Sequence, residues 1–321
     1  MSRAEEKPFR LRAGEPIGDG VRRIARYEVD AVIEALRGPM GEETVHEVRK
    51  ATKRLRALLR LIRDEIGSRH YRRENRTFRD AARALSPARD AEVLMATVTR
   101  LARHFRGKRR LLEPVRQAAR RHLQSARRGS RPAAARKRIV TSMRRARSRI
   151  AAWPISDDGW KAIAPGIRRI YRGGRTGWRD AGAAPTVANL HEWRKRAKDL
   201  RYALDLLEPL WPPVLKALAD ETDALGDRLG EDHDLALLRR FVRDVLGDAP
   251  PSREVLAEID VSRRRLQAES WTRAARMYET PPGRFARRLR TYWRAWQADR
   301  TPDDENAIAA APSDDRQLAS A

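Results

Sequence analysis

The sequence predicts an all-α fold, on three observations. Apolar residues recur at spacings of three and four along almost the whole 321-residue chain, which is the period of an amphipathic helix. Alanine, leucine, arginine and glutamate, all good helix formers, dominate the composition. Alternating runs of Val, Ile, Thr and Tyr, the usual signal of a strand, are absent. We therefore expect a helical protein whose core is supplied by the 41% of residues that are apolar.

Glycine and proline divide the chain into about eleven segments of roughly 15 to 25 residues, the length of bundle helices. The expected joints, in chain order, are Gly38-Pro39, Gly67-Ser68, Ser86-Pro87, Gly107, Gly129-Ser130, Pro154, Gly173-Gly174, Pro185, Pro212-Pro213, Gly230, Pro250-Pro251 and Pro281-Pro282. We expect a linker at 174–185 between a first half at 18–173 and a second half at 186–300. Residues 1–17 are expected to be a disordered N-terminus. Residues 301–321 carry five acids and one arginine, and are expected to be a disordered acidic tail.

An internal repeat links the two halves. Residues 46–59 read HEVRKATKRLRALL and residues 191–204 read HEWRKRAKDLRYAL; eight of these fourteen positions are identical, at an offset of 145. A weaker similarity follows in each half at an offset of 144, around Asp90 and Asp234. Two similarities at nearly the same offset indicate a duplicated helical half.

The net charge predicts a polyanionic partner. The chain carries +26 at pH 7, and repulsion of this size destabilises a compact chain unless a partner neutralises it. No run of about 20 apolar residues is present, and the N-terminus lacks the apolar segment of a secretory signal. We therefore expect a cytoplasmic protein with no membrane partner. The absence of cysteine excludes disulfides, thiolate metal sites and a cysteine nucleophile.

Each copy of the repeat carries a basic stripe opposite an apolar face, because successive side chains on a helix are 100° apart. The two segments hold four of the nine lysines in the chain. Glu47 and Glu192 fall to one side of the stripes and are not expected to neutralise them. The predicted polyphosphate-binding residues are His46, Arg49, Lys50, Lys53, Arg56, Arg60, His191, Arg194, Lys195, Lys198 and Arg201.

The residue types suit phosphate groups. Lysine offers a compact charge, arginine a planar two-point donor, and histidine a donor that titrates near pH 6.5, so protonation of His46 and His191 is expected to strengthen binding. A single basic stripe is also typical of a helix surface that only meets water. The stripe occurs twice here, at matching positions of the repeat, and this duplication favours a binding role. Asp90 and Asp234 have two interpretations: acids favoured by the dipole at a helix start, or supporting residues that orient a stripe lysine or arginine.

The doubled pattern His-x-x-Arg-Lys-x-x-Lys-x-Leu-Arg resembles the CHAD domain, the conserved-histidine α-helical domain. The matching segments are His46 to Arg56 with Arg89-Asp90, and His191 to Arg201 with His233-Asp234. The resemblance covers roughly residues 15–300. It implies two four-helix bundles related by a pseudo-twofold axis, with a central basic channel that binds inorganic polyphosphate, and an association with polyphosphate granules.

One departure from symmetry is visible within the repeat. The second copy has Asp199 and Asp205 where the first has Arg54 and Arg60. Asp205 would lie on the stripe side, so the second half is expected to bind more weakly at that end.

Enzymatic activity is not expected, and no cofactor or metal is predicted. The chain has no Walker loop, Rossmann fingerprint or His-Glu-x-x-His pair, and the acids at 230–234 are more typical of a helix cap than of a metal site. The start of the repeat is also similar to the phospho-accepting helix of sensor histidine kinases, but no glycine-rich ATP-binding module follows. A phosphatase acting on polyphosphate is a further alternative, without an identified nucleophile or activated water.

The rival partner is nucleic acid, bound through the whole basic surface. Residues 100–150 contain nineteen basic side chains and one acid, Glu113, and form either a solvated surface or an additional anion-binding face. None of the tryptophans falls on the stripes, which argues against base stacking there.

Overall fold

The computed structural model describes residues 8–104, 109–129, 132–247 and 250–299. Over those ranges the chain is all-helical, with eleven α-helices and no strand, which confirms the predicted fold class. The helices are α1 (Ile17–Ala35), α2 (Glu42–Leu61), α3 (Arg63–Arg83), α4 (Ser86–His104), α5 (Glu113–Gly129), α6 (Pro132–Ile150), α7 (Trp160–Ala183), α8 (Val187–Leu207), α9 (Pro212–Leu246), α10 (Pro250–Met277) and α11 (Pro282–Ala298).

The larger of two apolar cores is enclosed mainly by α1, α2, α3, α6, α7, α8, α11 and the first half of α9. Helix α1 packs against α2 and α6, and α7 packs against α8 and α11. Helices α7 and α2 touch backbone to backbone at Gly166, where a Cβ atom would lie 1.8 Å from the carbonyl oxygen of Leu61. Only glycine permits that approach, so Gly166 fixes α7 against the first of the two repeated helices.

The smaller core lies between α4, α5, α10 and the second half of α9, and includes Val98, Val115, Leu238 and Val255. Helix α9 is 35 residues long and contributes to both cores. Helix α9 packs against α8, and its second half also packs against α4 and α5 in the smaller core. This single helix supplies most of the side chains that face the second basic stripe.

The expected linker at 174–185 is helical as far as Ala183, because α7 continues through Gly173 and Gly174. A Cβ atom at Gly174 would lie 2.5 Å from the hydroxyl oxygen of Tyr278. The glycines of α7 thus provide room for close packing, and only residues 184–186 separate α7 from α8. Because α7 packs mainly with α8 and α11, residues 160–173 associate with the second half and not only with the first.

Two of the predicted joints are wrong: Gly173-Gly174 lies inside α7, and Gly230 lies inside α9. Gly67 does interrupt its helix, with a φ of +71° that makes a kink inside α3. The joints at Pro185, Pro212-Pro213 and Pro281-Pro282 fall at helix boundaries, as predicted. Gly107 lies outside the described residues.

The N-terminal segment is ordered from residue 8 onwards, contrary to the disorder expected for 1–17. Phe9 and Leu11 are buried in the larger core, and the amide of Leu11 donates a hydrogen bond to the carbonyl of Leu206 at 3.3 Å. The guanidinium of Arg54 lies over the ring of Phe9. Polar contacts hold the segment as well, among them the ion pairs of Arg10 with Glu208 and of Glu15 with Arg23. Residues 1–7 and the predicted acidic tail at 301–321 lie outside the described residues.

Within the described ranges, none of the helices combines the length and apolar character needed to cross a bilayer.

Candidate anion-binding site

The two repeated helices, α2 and α8, are in contact with each other. Their predicted apolar faces are buried: Leu55 and Leu58 in α2, and Trp193 and Leu200 in α8, are at most 1% exposed. Trp193 also stacks on Trp271 with ring centroids 4.7 Å apart. The helical phase predicted from the sequence is therefore confirmed, and the basic residues lie on the remaining faces.

Five basic side chains from three helices come together where α2 meets α8. We call this group the basic cluster; its members are Arg49, Lys53, Arg89, Arg194 and Lys198. The side chain of Lys53 reaches solvent, but neighbouring protein atoms desolvate part of it and the other four cations of the cluster surround it. Partial desolvation, followed by repulsion from Arg49, Lys198, Arg194 and Arg89, lowers the pKa of Lys53 to about 8. The cluster thus concentrates positive charge that a bound anion would relieve.

Asp90 and Asp234 interact electrostatically with the cluster. Asp90 is the charge that most favours ionised Arg49, and Arg194 is the opposite charge that acts most strongly on Asp234. Desolvation raises the pKa of Asp234. Asp90 lies in the first turns of α4, whereas Asp234 lies in the middle of α9, far from a helix start. The helix-dipole interpretation therefore fails for Asp234 and remains compatible with the position of Asp90.

Two glycines of α9 make room for the second stripe. A Cβ atom at Gly226 would lie 2.9 Å from Cε of Lys198, and one at Gly230 would lie 3.1 Å from a guanidinium nitrogen of Arg194. Both contacts are closer than side chains normally make. The long basic side chains therefore pass over the surface of α9 at the two positions that lack a side chain.

Acids of α9 neutralise part of the second stripe. The Lys198 ammonium donates to Asp223 at 2.9 Å and to Asp227 at 2.8 Å. Arg201 lies 3.4 Å from Asp205 and 3.5 Å from Asp223. The first stripe has weaker compensation at Lys53, because the charges that act most strongly on it are the cations of the basic cluster. The two copies of the repeat therefore differ in charge, even though their sequences align.

The C-terminal members of the first stripe face other partners. Arg56 donates to the Oδ1 of Asn75 in α3 at 3.0 Å, and Arg60 lies 3.2 Å from Asp199 of α8. Desolvation lowers the pKa of Arg56 and raises that of the largely buried Asp199. Arg54 likewise interacts electrostatically with Asp205 across the same helix pair. The two aspartates that break the repeat are thus partners for arginines of the first copy.

The glutamates beside each stripe reach it, contrary to expectation. Lys50 lies 3.4 Å from Glu47, and Lys195 lies 2.9 Å from Glu192, both at a spacing of three residues. Each glutamate lies beside the stripe and not on it, but side chains three residues apart on a helix are neighbours, and the long side chains of lysine and glutamate reach each other. Lys50 and Lys195 are therefore partly neutralised and lie at the margin of the basic cluster.

The two repeated histidines have different surroundings. His46 is exposed in the N-terminal part of α2, whereas His191 stacks on His233 of α9 with ring centroids 4.1 Å apart. Desolvation, with repulsion from Lys195 and Arg194, lowers the pKa of His191. Desolvation and the neighbouring His191 lower the pKa of His233 to about 4. In the free protein, His191 therefore gains its charge below the pH of about 6.5 expected for an isolated imidazole.

Sequence reasoning missed the contribution of Arg89, Gly226 and the α9 acids. Arg89 was visible beside Asp90 in the repeat, and its guanidinium donates to Glu42 at 2.6 Å. Gly226 and Gly230 are four residues apart and so lie on one face of a helix, a signal that the interpretation of Gly230 as a joint concealed. In the described part of the chain, no group of three or more potential metal ligands is present.

Comparison with known proteins agrees with this architecture. The family model of the CHAD domain matches residues 21–243 of the chain. The crystal structure of the CHAD domain from the plant Ricinus communis is similar with a TM-score of 0.52 and 18% sequence identity, over 89% of this chain and 94% of that one. At that identity the similarity shows the fold alone. No curated protein matches the chain.

Proposed function

The chain belongs to the CHAD domain family, and we propose that it binds inorganic polyphosphate at the basic cluster without catalysing its breakdown. The observation that carries this proposal is the set of four cations that surround the exposed Lys53. On a surface that only meets water, acids beside basic side chains would add stability. The acids of α9 pair with Lys198 in this way, but cations are the charges that act most strongly on Lys53. Retained repulsion beside open solvent is what an anion-binding site requires.

Polyphosphate fits the site because its charges repeat along one flexible chain. The cluster takes its members from α2, α4 and α8, so a linear anion lying along the contact of α2 and α8 would meet several of them in turn. Lysine and arginine both donate charge-assisted hydrogen bonds to phosphate oxygens. We assign Arg56, Arg60 and Arg201 to the periphery of this site, because none of them is among the cations that act most strongly on Lys53.

We further propose that the two halves are related by a pseudo-twofold axis that passes between α2 and α8. Positions 54 and 199 correspond in the repeat, as do 60 and 205. The contact of Arg60 with Asp199 and the interaction of Arg54 with Asp205 are therefore the same contact with the copies exchanged. The packing of α1 on α2 and α6 likewise corresponds to that of α7 on α8 and α11. Such exchange is what a local twofold produces.

The test is a titration of the protein with long-chain polyphosphate. Lys53→Glu combined with Lys198→Glu should weaken binding at least about a hundredfold, since it reverses two charges in the centre of the cluster. The control is Lys161→Glu with Arg168→Glu, an equal change in net charge at exposed positions of α7. Equal loss of affinity in both variants would show that binding depends on net charge alone, and affinity unchanged in the cluster variant would refute the proposed site.

Non-catalytic binding is tested by phosphate release. Asp223 and Asp227 accept from Lys198, Glu42 accepts from Arg89, and Asp234 interacts with Arg194, so none of these acids is an unengaged base. Incubation with polyphosphate and magnesium should therefore release no phosphate above a protein-free blank. Release that disappears in Asp234→Asn would instead indicate a phosphatase.

A further inference from the structure

A second basic site lies between α3 and α6, apart from the basic cluster. It is a pocket of about 540 Å³, within the size range of small-molecule sites, which is about 300–1,000 Å³. Five cationic side chains line it, namely Arg73, Lys137, Arg138, Arg145 and Arg149. None of these residues belongs to the cluster or to the stripes of α2 and α8.

The position of the pocket follows from the periodicity of α6. Residues 137, 141, 145 and 149 are spaced by four and so lie on one face of the helix, which faces α3. On α3, Arg73 and Thr77 line the pocket, whereas Asn75 accepts the hydrogen bond from Arg56 of α2. Residues 73 and 75 point in nearly opposite directions on a helix, at about 200° to each other. The pocket and the α2 stripe therefore lie on different sides of α3.

The floor of the pocket is fixed by a buried carboxylate. Glu74 is fully buried and accepts from Arg73 at 2.9 Å and from two nitrogens of Arg149 at 2.7 Å each. These bonds raise the pKa of Arg149 and hold two guanidinium groups at the wall of the pocket. Arginines that are already positioned lose less conformational entropy when they bind a ligand.

The remaining cations lack acidic partners. Among the described residues, no carboxylate forms an ion pair with Lys137, Arg138 or Arg145, although their neighbours Arg147 and Arg149 each pair with one. Thr141 adds a hydroxyl group to the same wall, whereas the hydroxyls of Ser142 and Thr77 donate to the backbone carbonyls of Ile139 and Arg73. Lysine and arginine side chains without acidic partners donate charge-assisted hydrogen bonds to phosphate oxygens.

We infer that this pocket binds a compact oligophosphate, independently of the basic cluster. The pocket is cationic, and none of the described residues that line it is aromatic, so it lacks the aromatic platform on which nucleobases stack. Its several separate donors suit an anion of a few linked phosphates better than a single phosphate, which would meet only some of them. This inference does not depend on the proposed function, since the two sites share no residue.

The experiment is calorimetric titration of the full-length protein with tripolyphosphate. Lys137→Glu with Arg145→Glu changes two exposed residues and should weaken binding to the pocket about tenfold or more. The control is again Lys161→Glu with Arg168→Glu, with the same change in net charge. Lys137→Arg with Arg145→Lys should keep the binding, because the charges and donors remain. Unfolding temperatures measured on all variants should agree closely, since none of the changed side chains is buried.

The outcomes separate the two sites. Tripolyphosphate binding that is lost in the pocket variant and kept in Lys53→Glu with Lys198→Glu supports the inference, whatever long-chain polyphosphate does in the cluster variant. Equal weakening in the pocket variant and the α7 control overturns it. The inference is also overturned if the pocket variant binds tripolyphosphate normally and loses only duplex DNA or RNA, because the face would then serve nucleic acid.

Discussion

At the scale of single residues, the site is defined by Lys53. Its position on α2 followed from the helical repeat, and its charge neighbours on α8 are at the corresponding positions of the second copy. Desolvation is the larger cause of its lowered pKa of about 8, and repulsion from the neighbouring cations adds to it. The charge of Lys53 has two testable consequences, one for stability and one for pH.

Removing the Lys53 charge should stabilise the protein while weakening its binding. We expect Lys53→Gln to raise the free energy of unfolding by roughly a few tenths of a kcal/mol, since the residue is exposed and solvent screens the repulsion. The same variant should bind polyphosphate about tenfold less tightly, because one central contact is lost. Denaturant unfolding and a binding titration measure both. Lys161→Gln, at an exposed site of α7, should change neither quantity; a loss of stability in Lys53→Gln would contradict the prediction.

Binding should take up a proton at alkaline pH. The pKa of free Lys53 is about 8, and a bound polyanion raises it towards the ordinary value of 10.5. Affinity is therefore independent of this group well below pH 8, and falls as pH rises from about 8 to the pKa of the bound state. Calorimetry in buffers of different ionisation enthalpy counts the protons. Lys53→Arg should bind without this proton uptake, and an identical pH dependence in the variant would show that another group titrates.

The pKa of His191 lies below the ordinary value of histidine in the free protein, because desolvation and then its neighbours Lys195 and Arg194 lower it. A polyanion would raise that pKa, so the expected gain in affinity on acidification still has the same sign for His191. The sequence could predict which residues lie on each stripe from helical periodicity. It could not predict this pKa, because the stacking partner His233 comes from a different helix.

At the scale of helices, α9 organises the second stripe. It runs without a break past Gly226 and Gly230, and it brings Asp223, Asp227 and Asp234 against α8. Glycine usually marks a helix end, so the sequence indicated a joint at Gly230. In the structure, packing on both apolar cores maintains the helix, and the missing side chains admit Lys198 and Arg194.

Adding a methyl group at Gly226 or Gly230 should raise the stability of the protein and lower its affinity for polyphosphate. Gly226→Ala and Gly230→Ala should each stabilise α9 by up to about 0.5–1 kcal/mol, because glycine is unfavourable within a helix. Each added methyl would displace the end of Lys198 or Arg194, so polyphosphate affinity should fall. The control is Gly182→Ala, also helical, where a Cβ atom would meet nothing within 4 Å. Unchanged affinity in both α9 variants, measured beside this control, would show that the displaced side chains do not bind the anion.

The pairing of Arg60 with Asp199 should behave as a link between α2 and α8. We expect Asp199→Arg to lower the free energy of unfolding by about 2 kcal/mol or more, because it adds a cation beside Arg56, Arg60 and Arg196. Exchanging the pair, with Arg60→Asp and Asp199→Arg together, should recover part of that loss. Urea unfolding of the two single variants and the double variant gives the coupling energy. Additive effects would mean that the two side chains do not interact.

At the scale of the whole molecule, the sequence predicted more of the fold than of its division into halves. The all-α class and most joints followed from periodicity and proline positions. The linker expected at 174–185 is helical as far as Ala183, because glycines that serve packing in α7 look like a flexible linker when read alone. The order of residues 8–16 was missed, since their burial depends on a core formed by distant helices.

The net charge of +26 takes on a specific distribution in the folded chain. Some basic side chains pair with acids on α9, some are gathered in the basic cluster, and some line the pocket between α3 and α6. Composition alone therefore indicated a polyanionic partner, and tertiary structure decides which cations remain available to it.

The central claim is that one anion is shared by the two repeated helices. A crystal structure of the protein with bound long-chain polyphosphate tests it most directly. We expect a continuous chain of phosphate density along the contact of α2 and α8, with oxygens within hydrogen-bond distance of Lys53 and Arg194. Phosphate bound only elsewhere on the surface, with Lys53 and Arg194 left in contact with solvent, would contradict the account.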